Sequence, residues 1–289
     1  MTTVVGVHGI GNYHHYADAG NSAESASAAL SGEWAAALRR GLAARPVPAP
    51  APRLRVAYYA HLLHRGTAQG PDDVRFLDDT EQDLLIALVD KHAPAAIAQG
   101  RRTLRARAAA DWITRRLGDR ALGLALTFVR EANAYLHSDT RRQQARCAVA
   151  EAIARDRPRV VIAHSLGTVI AYETLWEHPE LPVDLLLTLG SPLAMPGVIF
   201  ELLHPAPVSG RGRRPPAVAA WANLADVGDI VAIPRTGLAP HFDGVTQDAP
   251  EIVIGERDFH SVSGYLAAAE TAAALEPYLQ RPGTTRPDS

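Results

Sequence analysis

The chain has 289 residues, 47% of them hydrophobic and 21% charged, with 29 basic side chains against 31 acidic ones. That is the composition of a folded globular protein whose core is large enough to need no staples. A net charge of −2 gives no electrostatic case for a nucleic-acid partner. The single cysteine, Cys147, excludes an intrachain disulfide; its helical setting reads as a buried or half-buried small hydrophobe rather than a reactive thiol.

Residues 3–8 (TVVGVH) form the first predicted strand. No basic region or long apolar run precedes them, so no signal peptide is expected. The uncharged runs 160–172 and 185–200 are too short to span a bilayer, and Pro192 and Pro196 break the second. The expectation is a soluble, cytoplasmic protein with no integral membrane association. A helix over Ser22–Leu42 follows, then a proline-rich connector at 43–52 and a strand at 53–59.

Residues 61–137 read as a helical insertion, a possible lid. It opens with acidic residues (Asp72, Asp73, Asp78, Asp79, Glu81, Asp83). An arginine-rich run from Arg101 to Arg120 and an apolar stretch, Ala121 to Val129, follow. The charges read as solvated helix faces that pair with each other; a rival reading is a surface for an acidic or amphiphilic ligand, or for anionic membranes.

A helix over Thr140–Arg155 starts at a cap, Ser138 or Asp139. Strands are predicted at 159–163, 183–189, 218–224 and 251–255, and helices at Leu166–Trp176 and Ser261–Leu279. Residues 205–217 read as a mobile surface loop, and 281–289 as a disordered tail. Short apolar strands alternating with helices predict an α/β fold, a doubly wound, mostly parallel six-stranded sheet within one domain over 1–280.

The most informative stretch is Ala163-His164-Ser165-Leu166-Gly167, set between a strand and a helix. It reads as a G-x-S-x-G nucleophile elbow with alanine in the first glycine position. Small residues suit the positions two before and two after the serine, where strand and helix backbones nearly touch. A serine before a helix is more often an N-cap; the surrounding element order is what favours a nucleophile.

Serine needs a base, and the base needs an acid. In elbow proteins the order is Ser, then Asp or Glu, then His. Asp226 and Asp229 follow the fifth strand, and His260 follows the sixth, at the strand ends where open parallel sheets bind ligands. Asp229 is preferred to Asp226, which could instead brace the loop. His260 is preferred to His241, which precedes the last strand, and to His14 and His15. His8-Gly9-Ile10-Gly11 follows the first strand, and the Ile10 and Leu166 amides are the candidate oxyanion donors. His8 and His164 are expected to brace loop and elbow rather than act as bases.

With VHGIG at 7–11, AHSLG at 163–167, DVGDIV at 226–231, His260 before a helix and LGSPL at 189–193, the chain resembles the α/β-hydrolase superfamily. AHS-x-G with HGIG is similar to the small bacterial lipases. The resemblance covers about 1–60 and 138–280. It implies the minimal six-stranded form of that fold, with Ser165 as nucleophile, His260 as base, Asp229 as acid and an oxyanion hole from Ile10 and Leu166. The long insertion at 61–137 departs from the family, whose lid usually follows the strand after the elbow.

The expected activity is hydrolysis of a carboxylic ester or thioester through an acyl-enzyme, with a small-molecule acyl substrate and no metal or organic cofactor. Leu122, Leu124, Leu126 and Phe128 motivate an apolar acyl chain. Peptidase, amidase and acyltransferase chemistry share the same triad. A ligand-binding protein of the same fold, with no catalysis, is the alternative of another class.

Overall fold

In the computed structural model, residues 2–45, 51–64, 71–90, 100–255 and 260–279 are described. Among them a six-stranded, all-parallel sheet runs in the order β2-β1-β3-β4-β6-β8. These strands are β1 (Thr3–Val7), β2 (Arg53–Ala57), β3 (Val160–His164), β4 (Val183–Leu189), β6 (Val218–Asp226) and β8 (Gln247–Ile252). The other two, β5 (Gly212–Arg213) and β7 (Phe242–Asp243), pair separately. The helices are α1 (Tyr13–Asp18), α2 (Ala23–Ala43), α3 (Ala60–Leu63), α4 (Asp79–Asp90), α5 (Arg102–Leu117), α6 (Asp119–Leu136), α7 (Asp139–Asp156), α8 (Leu166–Glu177), α9 (Val262–Ala267) and α10 (Ala269–Leu279). None of them is long and apolar enough to cross a membrane.

The central strands β1, β3, β4 and β6 are largely apolar on both faces because helices cover both. Val5, Val7, Val161, Ala163, Leu186 and Trp221 point into one core with α4 to α8. Val4, Val160, Ile162, Leu185 and Leu187 alternate with them into a second core with α2, α9 and α10. This period of two is the geometry of a strand, and two apolar faces are what a doubly wound sheet demands. The order reverses between β1 and β3, since β2 lies beyond β1 and the later strands beyond β3. A crevice forms at such a switch point, outside the strand C-termini.

Several expectations need correction. The sixth strand lies at 247–252 rather than 251–255; it is an edge strand, where Pro250 costs no ladder bond. β6 runs on to Asp226, paired there with Ile252. The last helix is two, because Ala268 turns extended (φ −66°, ψ 144°) where α2 abuts it; Gly41 lies against the Leu266 and Ala267 carbonyls. Residues 205–217 are tied down: Val208 bridges Arg211, and β5 pairs with β7. Cys147 is exposed, because the buried stripe of α7 passes through Arg142, Ala145 and Val149 instead. The tail at 281–289 and residues 46–50 of the proline-rich connector lie outside the described residues.

The insertion is helical where it is described, and its charges pair across α4 and α5, with Arg102 on Asp79 (2.6 Å) and Asp83 (2.9 Å). Much of its apolar face is buried. Leu122, Leu126 and Phe128 belong to the same buried cluster as Val5, Val7 and Leu166. A buried ionic knot fastens it further. Glu173 of α8 accepts from Tyr135 Oη of α6 (2.6 Å), from Arg142 Nε of α7 (2.9 Å) and from the His204 amide (3.0 Å). Removing one charge of such a pair strands the other in a dry interior. Arg142→Ala should therefore lower unfolding stability in urea by about 3–5 kcal/mol.

Candidate active site

Described residues that follow β1, β3, β6 and β8 meet at the sheet's C-terminal edge. At the centre Ser165 has φ 54° and ψ −132°, a left-handed backbone that L-residues avoid. Surrounding contacts hold it there. A Cβ on Gly167 would run into the Val7 and His8 carbonyl oxygens, and one on Gly9 would lie 2.6 Å from Ser165 Cβ. The Ser165 amide bonds the Leu189 carbonyl at 3.0 Å. Its side chain makes no N-cap bond to α8, which separates it from the commoner role of a serine before a helix.

The hydroxyl instead meets an imidazole: Ser165 Oγ lies 2.9 Å from His260 Nε2. His260 Nδ1 is 2.7 Å from Asp229 Oδ2 and 2.9 Å from Oδ1. All three residues are buried, Ser165 with 0% exposure. Burial pushes the Asp229 carboxyl up, but the His260 ring and bonds from His260, Tyr265 and the Val231 amide outweigh it. The carboxyl is held below its usual range and stays ionised. A carboxylate only accepts, so Nδ1 carries the imidazole proton and Nε2 is left to accept from the serine hydroxyl.

Asp226 takes the bracing role. Its Oδ1 accepts from the Gly228 amide (2.7 Å) and its Oδ2 from the Ile254 amide (2.8 Å). Neither His241, which packs against Phe200, nor His14, which bonds the Gly11 carbonyl, joins the serine; His15 sits near Glu33.

His8 and His164 brace as expected. Burial draws the His164 ring down to about 3, with His260 adding to the effect, so His164 is neutral. Its Nε2 bonds the His260 carbonyl at 3.0 Å, fixing the backbone of the candidate base. Burial draws His8 down to about 4. Its Nε2 accepts from the Tyr59 amide (3.2 Å), so its Nδ1 donates to the Gly9 carbonyl (2.7 Å).

The Ile10 and Leu166 amides have no hydrogen-bond acceptor among the described residues. Asn12 Nδ2 donates to the carbonyls of Gly9 and Ile10, each at 3.0 Å. A trans peptide is planar, so holding the Gly9 carbonyl on one side turns the Ile10 N–H to the other.

Sequence reasoning missed three partners. Asn12 had a signal, a carboxamide directly after a glycine turn. Tyr265 had none: its hydroxyl donates to Asp229 Oδ2 and accepts from the Asp226 amide, both at 2.7 Å. Burial, and then the Asp229 charge, push that phenol up, so it keeps its proton. Glu131 of α6 accepts from the Gly11 amide through Oε1 at 3.0 Å. Its signal was an acid on an apolar helical stripe with Leu124, Phe128 and Tyr135.

In comparisons with protein-family models, with curated proteins and with solved structures, nothing matches this chain.

Two stability measurements test this geometry. Ser165→Gly and Ser165→Ala both lose the hydroxyl, but only Gly relieves the left-handed backbone, so the Gly variant should be more stable than the Ala variant by about 1 kcal/mol in urea. Burial pushes the Glu131 carboxyl up to about 7 from an ordinary 4.5, against the pull of the Gly11 amide. The folded chain then binds this proton more tightly than the unfolded chain, and stability falls as pH rises from about 4.5 through 7. Between pH 5 and 8 the wild type should lose about 2–3 kcal/mol more than Glu131→Gln.

Proposed function

We propose that this chain is a serine hydrolase of the α/β-hydrolase type, acting on a carboxylic ester or thioester through a Ser165 acyl-enzyme. The observation that carries the reading is the unbroken hydrogen-bond chain from Ser165 Oγ through His260 to an ionised Asp229. A serine held in a left-handed backbone supports it, since such strain concentrates at functional sites.

In this reading His260 Nε2 takes the hydroxyl proton as Ser165 Oγ attacks the acyl carbon. Asp229 stabilises the imidazolium that forms, and Tyr265 and the Val231 amide keep the carboxylate oriented. The negative oxygen of the tetrahedral intermediate is met by the Ile10 and Leu166 amides; Leu166 adds the positive end of α8. As the intermediate collapses, His260 returns the proton to the leaving alcohol or thiol. Water, activated by the same nitrogen, then releases the acid. An amine or alcohol in place of that water would make the reaction an acyl transfer, and an amide substrate would make it an amidase or peptidase.

One observation favours a second reading. Ser165 is wholly buried, as it would be in a binding protein of this fold that never exposes its serine to substrate. A fluorophosphonate probe separates the two. Wild type should be labelled and Ser165→Ala should not; an unlabelled wild type that is folded would leave the binding protein standing. Among active variants, Asp229→Asn should lower turnover by roughly 10⁴-fold through the wrong histidine tautomer. Asp226→Asn should lower it far less, and the opposite ranking would reassign the acid.

A further inference from the structure

The loop carrying the Ile10 amide is secured almost entirely through its carbonyls. Tyr59 Oη donates to the His8 carbonyl, His8 and Asn12 to that of Gly9, and Asn12 to that of Ile10. Tyr58 Oη donates to the Asn12 carbonyl at 2.8 Å. These donors lie within the loop or just after β2. Among the described residues, one hydrogen bond reaches the loop from far along the chain, Glu131 Oε1 accepting from the Gly11 N–H across 120 residues from the insertion. The Ile10–Gly11 peptide is thus gripped at both ends, its oxygen by Asn12 and its N–H by Glu131. Because that unit is planar, it cannot rotate without losing both bonds.

We infer that Glu131 is a positioning residue, through which the helical insertion clamps the Ile10–Gly11 peptide and so steadies the adjoining Gly9–Ile10 peptide, whose N–H is the candidate oxyanion donor. The inference rests on the hydrolase reading above. Glu131 is 7% exposed, and its second oxygen, Oε2, has no partner among the described residues. A neutral amide or hydroxyl would supply the same acceptor without burying an ionisable group. What a carboxylate adds is a charge-assisted, stronger bond to the Gly11 amide. The titratable groups facing it are the phenols of Tyr58 and Tyr59, both pushed up by burial and so neutral. His14 bonds the Gly11 carbonyl, in the next peptide along. The carboxyl's own shift toward about 7 means that the strength of the clamp changes with pH near neutrality.

The test combines a spectrum with a rate. Ile-Gly occurs twice in the chain, at 10–11 and 254–255, so carbonyl-¹³C isoleucine with ¹⁵N glycine gives two selectable amide signals. One, Gly11, should lie downfield, move with a midpoint near pH 7 and stop moving in Glu131→Gln. The rate of fluorophosphonate labelling of Ser165 should fall roughly 10- to 100-fold in Glu131→Ala, the scale of a small misplacement at a reacting centre. Glu131→Gln, which retains an acceptor, should recover it to within about threefold. A Gly11 amide that ignores pH in the wild type, or a folded Glu131→Ala that labels at the wild-type rate, would overturn the clamp and leave the hydrolase intact. A wild type that never labels would remove the hydrolase reading and this role with it.

Discussion

The turn between β3 and α8 constrains everything around it. Strand and helix must reverse direction within one residue, and Ser165 absorbs the change with φ 54°. The turn closes only because Gly167 lets α8 touch the Val7 and His8 carbonyls and Gly9 lets the β1 loop touch Ser165. A conformation of that kind costs about 1–3 kcal/mol and persists only where its surroundings over-determine it. Here they do. The Leu189 carbonyl takes the Ser165 amide, while Thr168 bonds both the Ser165 carbonyl and Ser191 Oγ at 2.8 Å. The same close approach that strains the serine brings the β1 loop and the first turn of α8 together. The strained serine and the two candidate oxyanion donors are therefore consequences of one packing requirement.

Charge is then distributed by burial and hydrogen bonding. His8, His164 and Asp229 are all buried at the strand ends. Desolvation disfavours the charged form of each. For His8 and His164 it wins, and both rings are neutral struts. For Asp229 it loses, because donors converge on the carboxylate from His260, Tyr265 and the amides of Val231 and Ala232. The result is a fixed negative charge behind His260, where an imidazolium would form. Tyr265 links this arrangement to Asp226, whose amide orients the phenol and whose carboxylate ties the β6 loop to Ile254. The aspartate that does not face the histidine thus supports the one that does.

What could be read in the sequence was whatever depends on local pattern. The β3 elbow, the helix starting at its Ser138 cap and the first five strands of the sheet are short-range signals: small residues, a capping hydroxyl, runs of Val, Ile and Leu. The order serine, aspartate, histidine after β3, β6 and β8 was legible because topology converts chain order into position. Ends and partners were not. β8 begins four residues earlier than its Ile-Val-Ile run suggests, since an edge strand is fixed by the neighbour it pairs with, here Ala222 to Asp226. The break at Ala268 has no glycine or proline to announce it; it follows from contact with α2. Tyr265 and Glu131 act over 36 and 120 residues of chain, and no local pattern carries such contacts.

On the hydrolase reading, the insertion poses the sharpest energetic question, because a wholly buried Ser165 would need a route to substrate. Swinging α6 away as a unit would expose Ala125, Leu126, Phe128, Val129 and Ala132, all at 5% exposure or less. Large apolar side chains cost about 1.5–3 kcal/mol each to expose. The same motion would take Tyr135 from Glu173 and Glu131 from Gly11. Together these losses rival the entire stability of an ordinary domain. Motion at the site therefore has to leave the middle and C-terminal turns of α6 seated. It would have to be drawn instead from shorter segments whose contacts are fewer.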